Sequence, residues 1–274
     1  MGLTLMYITN QLDVALIAEK YGVERIWVDL ETLGKAERQK NMDTVQSQHK
    51  ISDIRLISSK LTTSEMLVRV NPLNDSSKQE IEQVIASGAD LIMLPMWRTK
   101  ADVSQFIDFV GGRAKVVLLL ETKEAFNNLD SILTLNGIDE IHIGLNDLHL
   151  DMGLTFMFEL LTNGVVAEIT QKLNKAKIPY GFGGIARLGL GELPAEMIVK
   201  EHYRLGSTRA ILSRSFCNVE KVTELSNIED IFRTELRKLR EFEENLSELN
   251  DAEFVENFET MQKKIDVIVR NKKK

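Results

Sequence analysis

The run Lys115–Thr122, KVVLLLET, decides the fold. Its apolar residues follow one another with no inside/outside alternation. A strand with one face in water alternates apolar and polar side chains, whereas a strand buried on both faces of a parallel sheet reads as an unbroken apolar stretch. Working outward from it, similar short runs recur at Leu3–Ile8, Arg25–Leu30 (RIWVDL), Met66–Val70 (MLVRV), Leu91–Met96 (LIMLPM), Glu140–Gly144 (EIHIG), Tyr180–Phe182 and Arg209–Leu212 (RAIL), which with Lys115–Leu120 makes eight. Helical patterns lie between them. Asp13–Lys20 ends at Tyr21-Gly22, and Ser77–Ser87 is followed by Gly88 in a C-cap position. Lys100–Val110 is apolar at 103, 106, 107 and 110, one face of a helix. Lys123–Leu133, Phe156–Lys177 and Ala195–Leu205 continue the alternation.

Strand and helix alternating in this way predict an α/β protein. The count of eight strands, with no strand-Gly-x-Gly-x-x-Gly-helix opening, favours a (β/α)8 TIM barrel over a doubly wound sheet. A length of 274 residues suits one such barrel. Residues 1–227 are expected to form it, with extra C-terminal helices over 228–274. That second segment is rich in Glu, Lys and Leu and has neither Gly nor Pro, which predicts one or two long helices that either pack on the barrel or join subunits.

Composition bounds the function. The chain is 43% hydrophobic but only 6% aromatic, so its core must be largely aliphatic. With 34 basic against 41 acidic residues the net charge is −7, which argues against non-specific nucleic-acid binding through Lys and Arg. The basic end Arg270–Lys274 is too short to change that and reads as a solvated tail. One cysteine, Cys217, excludes an internal disulfide and a Cys-rich zinc site. The opening residues lack a signal-peptide pattern, and no stretch approaches the ~20 apolar residues that span a bilayer. A soluble cytoplasmic protein with no membrane partner is expected.

In such barrels chemistry sits at the C-terminal ends of the strands. Strand two ends in Asp29 and Glu31, strand three carries Arg69 and runs into Asn71-Pro72, strand five ends in Glu121-Thr122, and strand six runs into Gly144-Leu145-Asn146-Asp147. Glu121 and Asp147, on adjacent strands, are the pair of carboxylates that a hard divalent cation such as Mg²⁺ or Mn²⁺ takes beside water and substrate oxygens. A 2-keto acid can then chelate the ion, which stabilises the enolate as a Lewis acid. Arg69 can hold the substrate's oxygens. Each residue also has a plainer reading: Glu121 as a helix-start charge, Arg69 as an ion-pair partner of Asp29 or Glu31, Asp147 as a turn cap. The glycines Gly181, Gly183 and Gly184 read either as a tight turn or as a cradle for an anionic group of a second substrate, with Arg187 nearby. Met152–Phe158 reads as packing or lid lining.

The chain resembles the HpcH/HpaI aldolase and citrate lyase β-subunit family of the phosphoenolpyruvate/pyruvate barrels. The matching pieces are RIWVDLE (Arg25–Glu31), VRVNP (Val68–Pro72), GADLIMLPM (Gly88–Met96), LLLET (Leu118–Thr122) and GLNDLHL (Gly144–Leu150), in order over about Leu3 to Phe216. The resemblance implies a metal-dependent carbon–carbon lyase of the aldolase type, acting on a 2-keto acid and an aldehyde. It implies a divalent ion on Glu121 and Asp147, keto-acid contact at Arg69, and substrate contacts along Asn71, Gly144, Asn146 and Gly183. It also implies a homo-oligomer, often a trimer or hexamer, with exchange of a C-terminal helix in many members. The bacterial pyruvate aldolases of the family place a histidine after strand two in a DxEH pattern, where this chain has Asp29-Leu30-Glu31-Thr32. Glu31 and His49 are therefore the candidates for proton transfer, with His49 otherwise a surface residue. His149 either faces the site or starts a helix, and His142 packs inside strand six. A citrate-lyase-like or malyl-CoA-like cleavage of a CoA ester, and a keto-acid-binding barrel without turnover, remain alternatives.

Overall fold

A computed structural model describes residues 2–34 and 48–273. Its strands are β1 (Thr4–Ile8), β2 (Arg25–Asp29), β3 (Glu65–Arg69), β4 (Leu91–Leu94), β5 (Lys115–Leu120), β6 (Glu140–Ile143), β7 (Tyr180–Ile185) and β8 (Arg209–Leu212). They pair in sequence order, all parallel, and β8 closes onto β1. The helices around and beyond them are α1 (Leu12–Lys20), α2 (Ile51–Ser58), α3 (Ser77–Ala86), α4 (Lys100–Val110), α5 (Lys123–Ile132), α6 (Leu145–Asp151), α7 (Glu159–Thr162), α8 (Val165–Ala176), α9 (Ala195–Leu205), α10 (Leu225–Leu246) and α11 (Asp251–Lys272). The closed (β/α)8 barrel with added C-terminal helices is the predicted fold.

Each apolar run is a strand because both of its faces are covered. On β5, Val116, Leu118 and Leu120 pack outward against the helices, while Val117 and Leu119 join Met6, Trp27, Leu67, Leu91 and Met93 in the barrel interior. The interior is not apolar throughout. The first residues of β2, β6 and β8, alternate strands of the barrel, are Arg25, Glu140 and Arg209. They form one ionic layer across the N-terminal end of the barrel. Glu140 accepts both Arg25 terminal nitrogens at 2.6 Å and two Arg209 nitrogens at 3.1 Å. Glu65 joins through Arg25 Nε at 3.0 Å and Lys115 Nζ.

Two expectations of shape are corrected. The helix expected over Phe156–Lys177 is two helices, α7 and α8, broken at Asn163-Gly164, where Gly164 takes φ +92°. That left-handed conformation suits glycine and interrupts the helical hydrogen bonds. Strand seven does not stop at Phe182. It continues through Gly183 and Gly184 to Ile185, with a register shift against β8.

The chain after Ile228 makes two long helices, α10 and α11, turned at Ser247–Asn250, with Asn250 capping α11 through its side-chain oxygen. Both dock on the barrel's outside. Phe232 of α10 stands edge-on to Tyr7 at 5.0 Å, and Asn257 of α11 donates to the Met197 carbonyl at 3.2 Å. The basic end, read as a solvated tail, is the last turn of α11: Lys272 pairs with Glu192 at 3.0 Å and lies over the Phe156 ring. Lys274 lies outside the described residues. Among the described residues no helix is long and apolar enough to cross a membrane.

Candidate metal and keto-acid site

Asp29 and Arg69 stand in register on β2 and β3, so their side chains meet at the C-terminal mouth. Arg69 donates Nε and Nη2 to the two Asp29 oxygens, each at 2.8 Å, and Nη1 reaches Glu31 Oε2 at 3.3 Å. The guanidinium lies 5.3 Å above the Trp27 ring, the top of the apolar interior. The ion-pair reading of Arg69 is thus realised, and with both acids at once. Asp29 and Glu31 are 3% and 2% exposed, so this is a buried clamp and not a surface pair. Burial disfavours the Arg69 charge, but Asp29 and Glu31 outweigh it and raise its affinity for its proton.

The position of Glu121 is set by its chain neighbour Thr122. Thr122 is the N-cap of α5, its hydroxyl accepting from Ala125 N–H at 3.0 Å and donating to the Trp97 carbonyl at 3.1 Å. Strand β5 therefore passes almost directly into helix α5, and Glu121 is fixed at the joint, 2% exposed. Its Oε1 accepts the Met96 backbone N–H at 3.0 Å. Met96 presents that N–H from a left-handed conformation, φ +54°, uncommon for a side chain of its size. Burial pushes the Glu121 carboxyl well above the usual carboxylate range; Arg69 opposes this, while Asp147 and Glu31 add repulsion.

Asp147 sits in α6, the short helix that begins directly after β6. Its Oδ1 is buried with no hydrogen-bond partner among the described residues. Gly144, at the N-cap of α6, is where Glu121 passes closest: a Cβ there would lie 2.9 Å from Glu121 Cβ and 3.0 Å from Oε2. Gly144→Ala is accordingly expected to displace Glu121 and weaken divalent-metal binding by about 10–100-fold, the scale seen when a ligand's support is disturbed. Titration with Mn²⁺ measures it, and an unchanged affinity would show that Glu121 does not need that space.

Taken together, Asp29, Glu31, Glu121 and Asp147 surround one guanidinium. The excess of buried negative charge, the raised carboxyl of Glu121 and the orphaned Asp147 oxygen fit a cation held by two carboxylates. Among the described residues no group of three or more His, Cys, Asp or Glu side chains is gathered as a metal cage. A two-carboxylate site completed by water and substrate oxygens is how Mg²⁺ is commonly held.

The remaining candidates are distributed around this centre. His49 accepts the Asp29 backbone N–H on Nδ1 at 2.9 Å, so the proton of the neutral ring is on Nε2. It is joined to the cluster by chain geometry that sequence spacing does not reveal. Asn71 uses its oxygen to accept the Thr32 and Leu33 N–H groups at 2.9 and 3.0 Å, and donates to Glu80 at 2.8 Å. Its amide therefore ties down the segment just after Glu31. Asn146 is partly buried beside Asp147 on α6. Gly183 lies against Leu145 of the same helix. His149 donates Nδ1 to the Leu145 carbonyl at 3.2 Å, one turn back in α6. His142 is buried in the interior, in register with Leu119, and burial lowers its ring to about 4. Met96 is missed by sequence reading; the Pro95 just before it, after an apolar run, is the available signal.

Known proteins bear on this geometry. The model of the HpcH/HpaI aldolase/citrate lyase family matches residues 4–160, more than half of the chain. A hydroxypyruvate/pyruvate aldolase of Rhizorhabdus wittichii is 28% identical over 171 residues, covering 50% of this chain and 67% of that protein. Two crystal structures share the fold at a TM-score of 0.61 each. One is an HpcH/HpaI aldolase from Desulfitobacterium hafniense, at 14% identity over 83% of this chain and 93% of that one. The other is an HpcH/HpaI aldolase/citrate lyase family protein from Burkholderia cenocepacia, at 13% identity over 83% and 95%.

Proposed function

The chain belongs to the HpcH/HpaI aldolase/citrate lyase family, and from that premise we propose that it is a divalent-metal-dependent carbon–carbon lyase, making or breaking the bond next to a pyruvyl or other 2-keto acid enolate. The observation that carries the reading is the pairing of buried Glu121 with the partnerless Asp147 oxygen on neighbouring strands, under an arginine already clamped by Asp29 and Glu31. Glu121 and Asp147 would hold the ion. When bound, it would supply Lewis-acid stabilisation to the negative charge that forms on the keto oxygen.

The protein's own residues do the rest. Arg69 is immobilised before substrate arrives, so its charge is oriented at no further cost during reaction. In the cleavage direction the hydroxyl of a 4-hydroxy-2-keto acid loses its proton, the C3–C4 bond breaks, an aldehyde leaves, and C3 of the enolate takes a proton to give the keto acid. Glu31 and His49 are the groups placed to exchange those protons. With Nδ1 engaged by Asp29, the exchange on His49 falls to Nε2.

Binding tests the site without turnover. A ligand at 100 times its Kd stabilises the native state by ~2.7 kcal/mol. Mn²⁺ with pyruvate is therefore expected to raise the melting temperature by several degrees, on the order of 5–10 °C for a domain of this size. EDTA should reverse the shift. No shift with any divalent ion would remove Glu121 and Asp147 as ligands.

A further inference from the structure

The proposed reaction leaves one basic group at the mouth unused. Arg187 stands two residues beyond β7, at the same end of the barrel as the carboxylate cluster. It is half-buried, and among the described residues no carboxylate lies within ion-pair distance of it. Its one hydrogen bond among those residues is long, Nε to the Ser215 carbonyl at 3.5 Å. A guanidinium carries five donors and a permanent charge. Arg69 shows the other extreme, with Nε and both terminal nitrogens committed to Asp29 and Glu31.

The surroundings of Arg187 suit an oxyanion. Ser213 and Ser215, on the turn after β8, make no side-chain hydrogen bond among the described residues, and Arg214 between them adds a second positive charge. The ground between this corner and the metal pair is continuous. Gly184 faces Ser213 so closely that an added Cβ would lie 3.2 Å from the serine Cβ. Gly183, φ +50°, leaves no room for a side chain against Leu145, whose Cδ1 would be 2.8 Å from one. Leu145 is two residues from Asp147. A substrate chelated at Glu121 and Asp147 thus has a floor of small residues leading toward Arg187. The loops after strands seven and eight are also where α/β barrels most often seat a phosphate.

We propose that Arg187, with the Ser213 hydroxyl, binds an oxyanion at the far end of the second substrate, so that the acceptor is an aldehyde bearing a carboxylate or a phosphate. This deepens the aldolase reading and rests on it for the word acceptor, while the anion seat itself can be tested alone.

The test compares wild type, Arg187→Gln and Arg187→Lys with pyruvate and three acceptors: glyceraldehyde 3-phosphate, succinic semialdehyde and neutral propionaldehyde. Losing a charge-assisted pair should lower kcat/KM for an anionic acceptor by about 10–100-fold more than for propionaldehyde, with partial recovery in the lysine variant. Whichever anionic acceptor shows the loss tells phosphate from carboxylate. An equal effect on all three acceptors, or none, overturns the proposal. Calorimetric titration with inorganic phosphate and succinate gives a readout independent of turnover. If no acceptor reacts, the aldolase reading fails, and weaker binding of either anion to Arg187→Gln than to wild type still upholds the seat. No binding, or equal binding, overturns it.

Discussion

Glu121→Gln is expected to reduce aldol turnover by at least about a thousandfold, corresponding to ~4 kcal/mol of transition-state stabilisation from a bound ion. The metal-free protein should be no less stable for the change, and more stable at neutral pH. The sign comes from the direction of the shift. Burial, with Asp147 and Glu31 nearby, raises the Glu121 carboxyl above its unfolded value. Such a group stabilises the fold only at low pH, where it is protonated, and that contribution is lost as pH rises through its folded pKa. At neutral pH an ionised Glu121 therefore strains the metal-free site. Glutamine removes the charge and keeps an acceptor for the Met96 N–H. Turnover assays and thermal melts with EDTA check the pair of effects. A variant that lost activity and melted well below wild type would mean that Glu121 holds the fold and not an ion.

The second large effect lies at the opposite end of the barrel. Glu140→Ala leaves Arg25, 4% exposed, and the neighbouring Arg209 without their shared carboxylate. Breaking a buried pair in this way costs about 3–5 kcal/mol, because the remaining charge is stranded. That corresponds to a fall in melting temperature on the order of 10 °C for a chain of this size. Burial alone would raise the Glu140 carboxyl, but the hydrogen bonds and charges of Arg25 and Arg209 outweigh it and leave it below the ordinary value. A carboxyl lowered in the folded state contributes stability that is present above its unfolded pKa and lost as pH falls through its folded pKa. The gap between wild type and Glu140→Ala should accordingly narrow in acid. A double variant replacing Arg25 and Glu140 by apolar residues of similar volume should recover part of the loss. If the single variant melts like wild type, the ionic layer is not sealing the barrel.

These two ends are unequally legible in the sequence. The strands are readable because burial on both faces leaves long apolar runs, and β5 and β8 begin and end where KVVLLL and RAIL do. The ionic layer is not readable, since Arg25, Glu140 and Arg209 lie far apart in the sequence and meet only when the barrel closes. At the mouth, Glu121 and Asp147 can be picked out because each ends a recognisable run. The sequence offers Arg69 as an ion-pair partner of Asp29 or of Glu31; only the fold joins it to both. The acceptor role of His49 Nδ1 toward Asp29 depends on how the chain returns to β2 between Glu31 and His49. Spacing carries no such information. Gly183 and Gly184 read as lying after strand seven because glycines resemble a turn; inside a barrel they instead permit the close approach of β7 to Leu145 and Ser213.

Pyruvate release from 4-hydroxy-2-keto acids, assayed with Mg²⁺, with Mn²⁺ and with EDTA, tests the assignment of a metal-dependent lyase most directly. Turnover is predicted with either ion, abolished by EDTA and restored when the ion is returned. Turnover that is indifferent to EDTA, or a protein that binds the ion and pyruvate yet releases none from any of these substrates, would contradict it.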